Sequence, residues 1–391
     1  MKILLLGVGM QGRAALHDLS RQNRFTEIVA ADADIDGLRG FVKDVSPGSN
    51  IRCEQLDIKD DVGFARLLRE KPDVVLDLLP AEFVEHVARK TVTEGLNLVN
   101  TCFVRPEIRR MASVAEANGT AILPQFGVDP GIDLLLLGDA VDKLDEVREI
   151  RSYGAGIPEP AISNCNPLRY KVTWTLEGVL NAYSRPAQQI VDGDVNTIPG
   201  NLLFDSSNVH CVDVESVGKL EAYPNGDATK LAEEAGVKPA KLDHLGCYTM
   251  RWPGHAAFWK PLVDLGFLED KKISVDGRQV SRKKFLAAVL APATELGRNE
   301  RDVVIVRVEV KGRKNGKPVK IVNQMIDWRD LATGFTAMSR TVGFTAAIGA
   351  TLIASGKVKK TGLLKPARDV PFEFMKEELA KRGIPLMSEV D

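Results

Sequence analysis

Ile3-Leu4-Leu5-Leu6-Gly7-Val8-Gly9-Met10-Gln11-Gly12 is the stretch that decides the fold. Four apolar residues in a row, with no polar alternation, read as a strand buried on both faces, the pattern of a parallel sheet. A G-x-G-x-x-G follows at once. Residues 13–21, with Ala14, Ala15, Leu16 and Leu19 apolar, read as the next helix, and residues 27–31 as a second strand that ends in Asp32, twenty residues past Gly12. Each part has a task in holding a dinucleotide. Gly7 permits the tight turn, Gly9 lets the backbone approach a pyrophosphate, and Gly12 lets the helix pack close to the strand. The free N–H groups at the helix start, where Met10 and Gln11 lie, meet the phosphate charge. Asp32 can accept hydrogen bonds from both ribose hydroxyls and would repel a 2′-phosphate, so NAD is expected and NADP disfavoured. A glycine-rich turn that binds nothing would leave the acid at the end of the second strand without a reason.

Outward from this stretch the βα alternation continues. A helix is expected over 36–42 and a third strand over 50–57, with Asp57 and Ile58 at its end placed to contact the adenine. Residues 61–70 read as a helix with Phe64, Leu67 and Leu68 on one face. Residues 73–79 are the fourth strand, and Leu78, Leu79 and Pro80 are expected to face the cofactor near the switch point of strand order. Helices over 83–95 and 108–118 and strands over 97–101 and 120–124 complete six strands of a doubly wound parallel sheet. The fold class is therefore α/β, with residues 1–131 as a Rossmann-type NAD-binding domain.

The pattern changes at the polar, turn-rich segment 125–133. A helix over 132–143 leads out of the nucleotide domain, and strand-like runs follow at 149–153, 168–174, 244–251, 303–310 and 319–326. Helical insertions at 175–183, 256–265 and 282–290 make this an α+β domain over 132–332 with a mostly antiparallel sheet. Asn315-Gly316 is the turn of a hairpin, and the basic residues around it (Lys311, Arg313, Lys314, Lys317, Lys320) read as a solvated tip. Residues 333–391 contain helices at 335–355 and 371–382, expected to return to the nucleotide domain. Two domains imply a cleft in which cofactor and substrate meet.

Composition excludes several classes of function. The 391 residues are 44% hydrophobic and 27% charged, and 52 basic against 53 acidic residues leave a net charge of −1. Nothing there favours nucleic acid or an anionic membrane as a partner. No apolar run is read as reaching the roughly 18 residues of a membrane span, and a first strand at residue 3 leaves no room for a signal peptide. The five cysteines are scattered, odd in number and without a C-x-x-C, which argues against a zinc site and for reduced thiols in a cytoplasmic protein.

Some side chains can carry chemistry. Asp129, in Asp129-Pro130-Gly131 just past the sixth strand, is an ordinary turn residue by local pattern. By position it can bind an ammonium group or move a proton. Cys102 follows the fifth strand, and an inert buried thiol competes with a catalytic one. Tyr170, Lys171 and Trp174 share an expected strand, on which Lys171 is either a solvated charge or a carboxylate anchor and acid–base group. Arg251 suits bidentate carboxylate binding, Trp252 supplies an apolar wall, and His255 can titrate near neutrality.

Several segments together resemble one family. They are 127–133, 152–158, Asn166-Pro167-Leu168-x-Tyr170-Lys171-x-x-Trp174, Glu177-Gly178-Val179, Tyr223-Pro224-Asn225, 251–255 and the tail 338–384. In order and spacing they are similar to the saccharopine dehydrogenase (glutamate-forming) and lysine 6-dehydrogenase group. The resemblance implies a Rossmann domain and a second domain that binds an amino-acid substrate and forms a homodimer. It also implies NAD(P)-linked oxidation of a carbon–nitrogen bond through an imine. By position it implies Asp129 as the acid–base or ammonium-binding carboxylate and Arg251 as the holder of a substrate carboxylate. Gly131, Tyr170, Lys171, Trp174 and His255 would line the amino-acid pocket. The chain departs from the saccharopine pattern at Gly154, where those enzymes carry cysteine, at Gly226, where they carry arginine, and at Cys102, where tyrosine is common. The missing guanidinium at Gly226 leans towards a substrate with fewer carboxylates. Saccharopine, lysine and another carboxylated amine such as a polyamine precursor stay open as substrates. A catalytically silent NAD-binding scaffold is the reading from another class.

Overall fold

Strand β1 (Lys2–Leu6) is buried from Ile3 onward on both faces, as its unbroken apolar run demands. Each fully buried leucine in it contributes on the order of 2 kcal/mol of apolar transfer. The computed structural model describes residues 1–45 and 50–391, and the chain divides into two units. The first holds Met1–Gly138 and Ser339–Pro385, the second Asp139–Met338 and Leu386–Asp391.

In the first unit β1 is followed by α1 (Met10–Arg21), β2 (Glu27–Asp32), α2 (Ile35–Val45), β3 (Ile51–Gln55) and α3 (Asp61–Arg69). Then come β4 (Val74–Asp77), α4 (Val84–Thr93), β5 (Leu98–Asn100), α5 (Pro106–Arg110), α6 (Ala112–Ala117) and β6 (Ala121–Leu123). The expected helix over 108–118 is thus two short helices, parted at Met111. Leu4, Leu6, Val75 and Leu98 of the sheet pack with Phe64, Leu67 and Leu68 of α3 and Val87 and Ala88 of α4 in one core. Helix α7 (Ile132–Asp142) carries the chain out, and the boundary falls at Gly138/Asp139 inside it, beyond the expected 131/132. Gly138 explains the later position: a Cβ there would come within 2.1 Å of the Ala367 carbonyl oxygen, so the start of α7 is tied to the first unit.

The second unit is built on a nine-stranded mixed sheet. Its elements are β7 (Glu146–Pro158), α8 (Leu176–Ala182), β8 (Ala187–Val191), β9 (Asp194–Ile198), β10 (His210–Val214), β11 (Gly218–Pro224), α9 (Thr229–Ala235) and β12 (His244–Arg251). After α10 (His255–Asp264) come the small ribbon β13 (Lys272–Val275) and β14 (Arg278–Ser281), then α11 (Arg282–Thr294), β15 (Asp302–Lys314) and β16 (Lys317–Trp328). The main path runs β10-β11-β12-β7-β15-β16 and is antiparallel except at β12–β7. The hairpin turns on Asn315 (φ 52°) and Gly316 (φ 74°), the two positive φ values a type I′ turn requires. The strands pair right up to Lys314 and Lys317, so the basic segment is ladder rather than loop.

One expected strand is absent. Residues 168–174 form a loop, with Arg169 at φ 51° and the Asn166 side-chain amide donating to the carbonyls of Tyr170 (2.7 Å) and Ala293 (2.9 Å). The apolar residues Leu168, Tyr170 and Val172 mimic strand alternation, but Leu168 and Tyr170 pack into the helical core with Val179, Tyr183 and Trp259.

The tail serves both units. Helix α12 (Ala337–Ala354) is long and apolar enough for a membrane span by composition, against the expectation that no such run exists, yet 78% of it is buried in the protein. Its Gly343 lies against Gln11 and Ala15 of α1, where a Cβ would come within 2.5 Å of a backbone oxygen. Strand β17 (Gly362–Leu363) adds a seventh strand beside β6, where six were expected. Helices α13 (Pro366–Asp369) and α14 (Phe372–Ala380) follow, and Arg382 clasps Asp18 of α1 at 2.7 and 3.0 Å. The helices thus return to the first unit as expected, while the last strand, β18 (Leu386–Val390), pairs with β16 in the second unit.

Candidate functional site

The first sheet has the order β17-β6-β5-β4-β1-β2-β3, all parallel. The strand order reverses between β1 and β4, so the ligand crevice lies beyond the C-terminal ends of those two strands. The glycine loop stands there. Gly7 has φ 83°, and a Cβ on it would touch the Leu78 carbonyl at 3.0 Å. On Gly12 a Cβ would run into the Gly7 oxygen at 2.0 Å, while at Gly9 there is open space. No side chain caps the α1 N-terminus and no acid sits in its first turn. The loop is thus shaped for a pyrophosphate against the backbone N–H groups of Met10, Gln11 and Gly12.

Three strand ends, and the turn two residues past β3, share one device. At each, an Asp or Asn side chain accepts a hydrogen bond from the N–H two residues on. The pairs are Asp32 to Asp34 (2.9 Å), Asp57 to Lys59 (3.0 Å), Asp77 to Leu79 (3.0 Å) and Asn100 to Cys102 (3.0 Å). Such Asx turns close off the strand and turn the chain over the rim of the sheet. Asp32 does more: its second oxygen accepts the Val8 N–H at 2.6 Å, tying β2 to the glycine loop. Ile58 is buried beside Asp57, and Leu78, Leu79 and Pro80 form the rim after β4.

Asp77 is 4% exposed, and burial pushes its carboxyl up to about 7, against the Leu79 N–H that pulls it down. Cys102 stands close by. Burial first, then the Asp77 carboxyl, raise its thiol to about 11 over the opposing pull of Arg105. The thiol is therefore protonated at neutral pH and is not a nucleophile in this state. Asn100 Nδ2 and Gln125 Nε2, both buried, have no acceptor among the described residues.

Asp129 is exposed in the turn after β6, ahead of a cis Pro130. Gly131 (φ 146°) is a position only glycine fills, since a Cβ would lie 2.2 Å from the Gly127 oxygen. Asp133 is buried and accepts the Gly131 N–H at 2.6 Å. Burial, then the charge of Asp129, hold its carboxyl well above the ordinary range. A buried carboxyl thus lies next to the exposed Asp129, whose charge acts on it.

In the second unit Tyr170, Tyr183, Tyr223, Arg251, His255 and Trp259 are buried in one polar–aromatic cluster, with Phe204 beside them. The Arg251 guanidinium lies 4.9 Å from the centre of the Tyr170 ring. It donates to the Met250 carbonyl at 2.9 Å and to the Tyr183 hydroxyl at 3.4 Å. Tyr183 in turn donates to His255 Nε2 at 2.8 Å, because His255 Nδ1 sits 2.8 Å from the Leu168 carbonyl and must be the ring's donor. Burial and the nearby Arg251 charge push His255 down to about 3. It is a neutral structural histidine, not the group expected to titrate near neutrality. Glu221 faces Arg251 in the ladder but spends its carboxylate on the N–H groups of Gly254 and Ala256 at the start of α10. Lys171 reaches the Glu295 carbonyl (2.8 Å) and Glu300 (3.1 Å), and Trp174 is 43% exposed. The loop therefore buries Tyr170 with Arg251 and sends Lys171 and Trp174 elsewhere. Reading the sequence alone missed Asp77, Asn100, Tyr183 and Glu221. For Asp77 and Asn100 a signal existed, an Asp or Asn as the last residue of a buried strand.

The fold and the glycine loop define a dinucleotide-binding α/β protein. Known proteins sharpen this. The Saccharopine dehydrogenase NADP binding domain matches residues 3–123, and the Saccharopine dehydrogenase C-terminal domain matches residues 127–384. The chain belongs to the saccharopine dehydrogenase family. It is 26% identical to an alpha-aminoadipic semialdehyde synthase of Arabidopsis thaliana, over 100% of this chain and 45% of that protein. The chain thus spans about half the length of the first curated relatives it matches. It is 24% identical to the NADP(+), L-glutamate-forming saccharopine dehydrogenase of Saccharomyces cerevisiae, over 98% of both chains. The apo structure of an L-Glu-forming saccharopine dehydrogenase from the same yeast shares the fold, with a TM-score of 0.87 at 23% identity, covering 100% of this chain and 99% of that one.

These matches overturn the expectation of NAD over NADP. The matching domain is an NADP-binding one, and the yeast relatives are NADP(+) enzymes. The geometry gives the reason: both Asp32 oxygens are engaged by backbone N–H groups of Val8 and Asp34, so an acid at this position does not report a bare carboxylate aimed at the ribose.

Proposed function

We propose that the chain is an NADP-linked oxidoreductase acting on the carbon–nitrogen bond of a lysine-related amino acid. The glycine loop at the β1–β4 switch point is the observation that carries this. It is open above Gly9, closed to any larger residue at Gly12, and belongs to a family whose N-terminal domain binds NADP. The cofactor supplies a hydride acceptor or donor. The chain's own residues bind, orient and handle protons. Met10, Gln11 and Gly12 hold the pyrophosphate, Asp57, Ile58 and the Leu78–Pro80 rim flank the cofactor, and Asp32 fixes the loop. Asp129, backed by the buried Asp133, is the carboxylate we assign to the substrate amine or to proton transfer. Arg251 is assigned to a substrate carboxylate. The support is a buried guanidinium that meets no carboxylate among the described residues, since the one opposite it, Glu221, is committed to α10.

Saccharopine is the first substrate in this reading, and lysine the second. The second is favoured by Gly226, which offers no guanidinium for a further substrate carboxylate at the position where the saccharopine enzymes carry arginine. A homodimer through the second unit belongs to the same proposal, supported by the exposed Met387 and Val390 on the edge strand β18. So does a cytoplasmic location, supported by five free cysteines. The test is the change in nicotinamide absorbance with NADP or NADPH and a panel of saccharopine, lysine and carboxylated polyamines. Turnover of saccharopine is expected. Tight NADPH binding with no turnover of any member would leave a nucleotide-binding scaffold. Light scattering from the purified protein decides the oligomer.

A further inference from the structure

Asp77 is the last residue of β4, one of the two strands that bound the switch point. Because Asp32 and Asp57 mark the adenosine side, beyond β1 towards β2 and β3, the nicotinamide end of a bound dinucleotide falls on the β4 side. The side chain of Asp77 shares a face with its ladder partners Leu6 of β1 and Asn100 of β5, both uncharged. The Leu79 N–H is the hydrogen-bond donor it meets, and no cation pairs with it among the described residues. Ionisable groups on the packed elements turn elsewhere. His86 of α4 sits 3.4 Å from Asp61, Lys59 lies over the Phe83 ring, and Asp18 of α1 is clasped by Arg382. The neighbouring Cys102 thiol is neutral, and the Arg105 charge pulls on that thiol but is not among the influences on Asp77. The rim also holds two buried amide groups, Asn100 Nδ2 and Gln125 Nε2, with no acceptor among the described residues. Such a setting leaves one ionisable group, without a counter-charge, beneath the place where the cofactor's own charge changes. The oxidised nicotinamide ring is positive and the reduced ring is neutral.

We propose that Asp77 is the group by which this chain distinguishes the two redox forms of its cofactor: ionised, it favours the positive oxidised ring, and protonated, it favours the neutral reduced ring. The proton leaves to solvent when NADP+ binds and returns from solvent when the bound cofactor is reduced. A buried charge pair of opposite sign, desolvated together, supplies the preference. Asp77 acts here as a specificity-determining residue and takes no part in bond making. The inference rests on the reading that the first unit binds NADP.

The experiment measures the dissociation constants of NADP+ and NADPH for the full chain at pH 6, 7 and 8 by calorimetry, with no substrate present. The 2′-phosphate titrates in both forms and cancels in their ratio. The ratio Kd(NADP+)/Kd(NADPH) is expected to fall about tenfold between pH 6 and pH 8, the change in ionised fraction of a group with its midpoint between them. In Asp77→Asn, and in Asp77→Ser as a second variant, NADPH affinity should stay within about threefold and the ratio should be flat with pH. Calorimetry in buffers of different ionisation enthalpy should show more proton release with NADP+ than with NADPH near pH 7 in the natural chain and no such difference in the variants. A flat ratio in the natural chain, or the same slope in the variants, overturns the proposal even though both forms bind. Failure of NADPH itself to bind would remove the nucleotide site and this proposal with it.

Discussion

Asp77 closes β4 in the nucleotide unit, and Arg251 closes β12 in the second. Each is the last residue of its strand, each is buried, and neither has an ion-pair partner among the described residues. The carboxyl can give up its charge, and its rise to about 7 says that near neutrality it half does. The guanidinium cannot, because it does not deprotonate in proteins. Its charge is met instead by the Tyr170 ring, the Tyr183 hydroxyl and the Met250 carbonyl. A buried anion without a partner becomes a pH-sensitive group. A buried cation without a partner becomes a fixed positive site wrapped in aromatic rings. The first suits a cofactor whose charge changes, and the second a ligand whose carboxylate does not.

The comparison can be tested at both ends. Replacing Arg251 by methionine has the largest expected effect. Stability should change little, since an apolar side chain of similar volume removes the cost of the buried charge. Turnover should fall by on the order of a thousandfold in kcat/KM if the guanidinium holds substrate. Activity that survives in a folded Arg251→Met protein would reduce Arg251 to a structural charge.

Next comes Asp77→Asn. The folded carboxyl titrates near 7 and the unfolded one near 3.8, so the natural residue weakens the fold progressively as pH rises from about 4 to 7. The variant should therefore gain up to about 4 kcal/mol at pH 8, less at pH 5, and nothing below pH 4. Urea denaturation at these values reads it directly, and a pH-independent difference would mean that Asp77 stays ionised in the fold. Tyr183→Phe removes the hydroxyl shared by Arg251 and His255 and should cost about 1–2 kcal/mol. A neutral result would show that the Arg251 site does not depend on that relay. Smallest is Lys171→Met. Its partly exposed pair with Glu300 should be worth at most about 1 kcal/mol, with kcat/KM held within about threefold. A large loss of turnover with unchanged stability would return Lys171 to the catalytic machinery.

How much of this was legible in the sequence follows from distance along the chain. Strands β1, β2, β4, β5 and β6 were legible because each buries an apolar run, and three of them stop at an Asp or Asn that makes its own turn. Two of the strand ends, Asp77 and Asn100, were in plain view, but the fact that their side chains stay buried was not. The loop at 168–174 was misread because an alternation of apolar residues serves a helical core as well as a strand, and the Asn166 amide that fixes it is invisible to periodicity. The Arg251 cluster draws on residues from Leu168 to Trp259, and nothing local in any of these segments announces the others. The cofactor preference failed for a related reason. Asp32 was legible as an acid in the right place, but its rotation towards Val8 and Asp34 is a property of the folded loop.

The two-residue strand β17 carries a further consequence, for the order in which the protein comes into being. Its partner β6 ends at Leu123, yet Gly362 is not made until the main stretch of the second unit, Asp139–Met338, has been synthesised. At roughly 5–20 residues per second that interval lasts some tens of seconds. The first unit thus waits on the tail, and its sheet keeps an open edge beside β6 until Gly362 arrives.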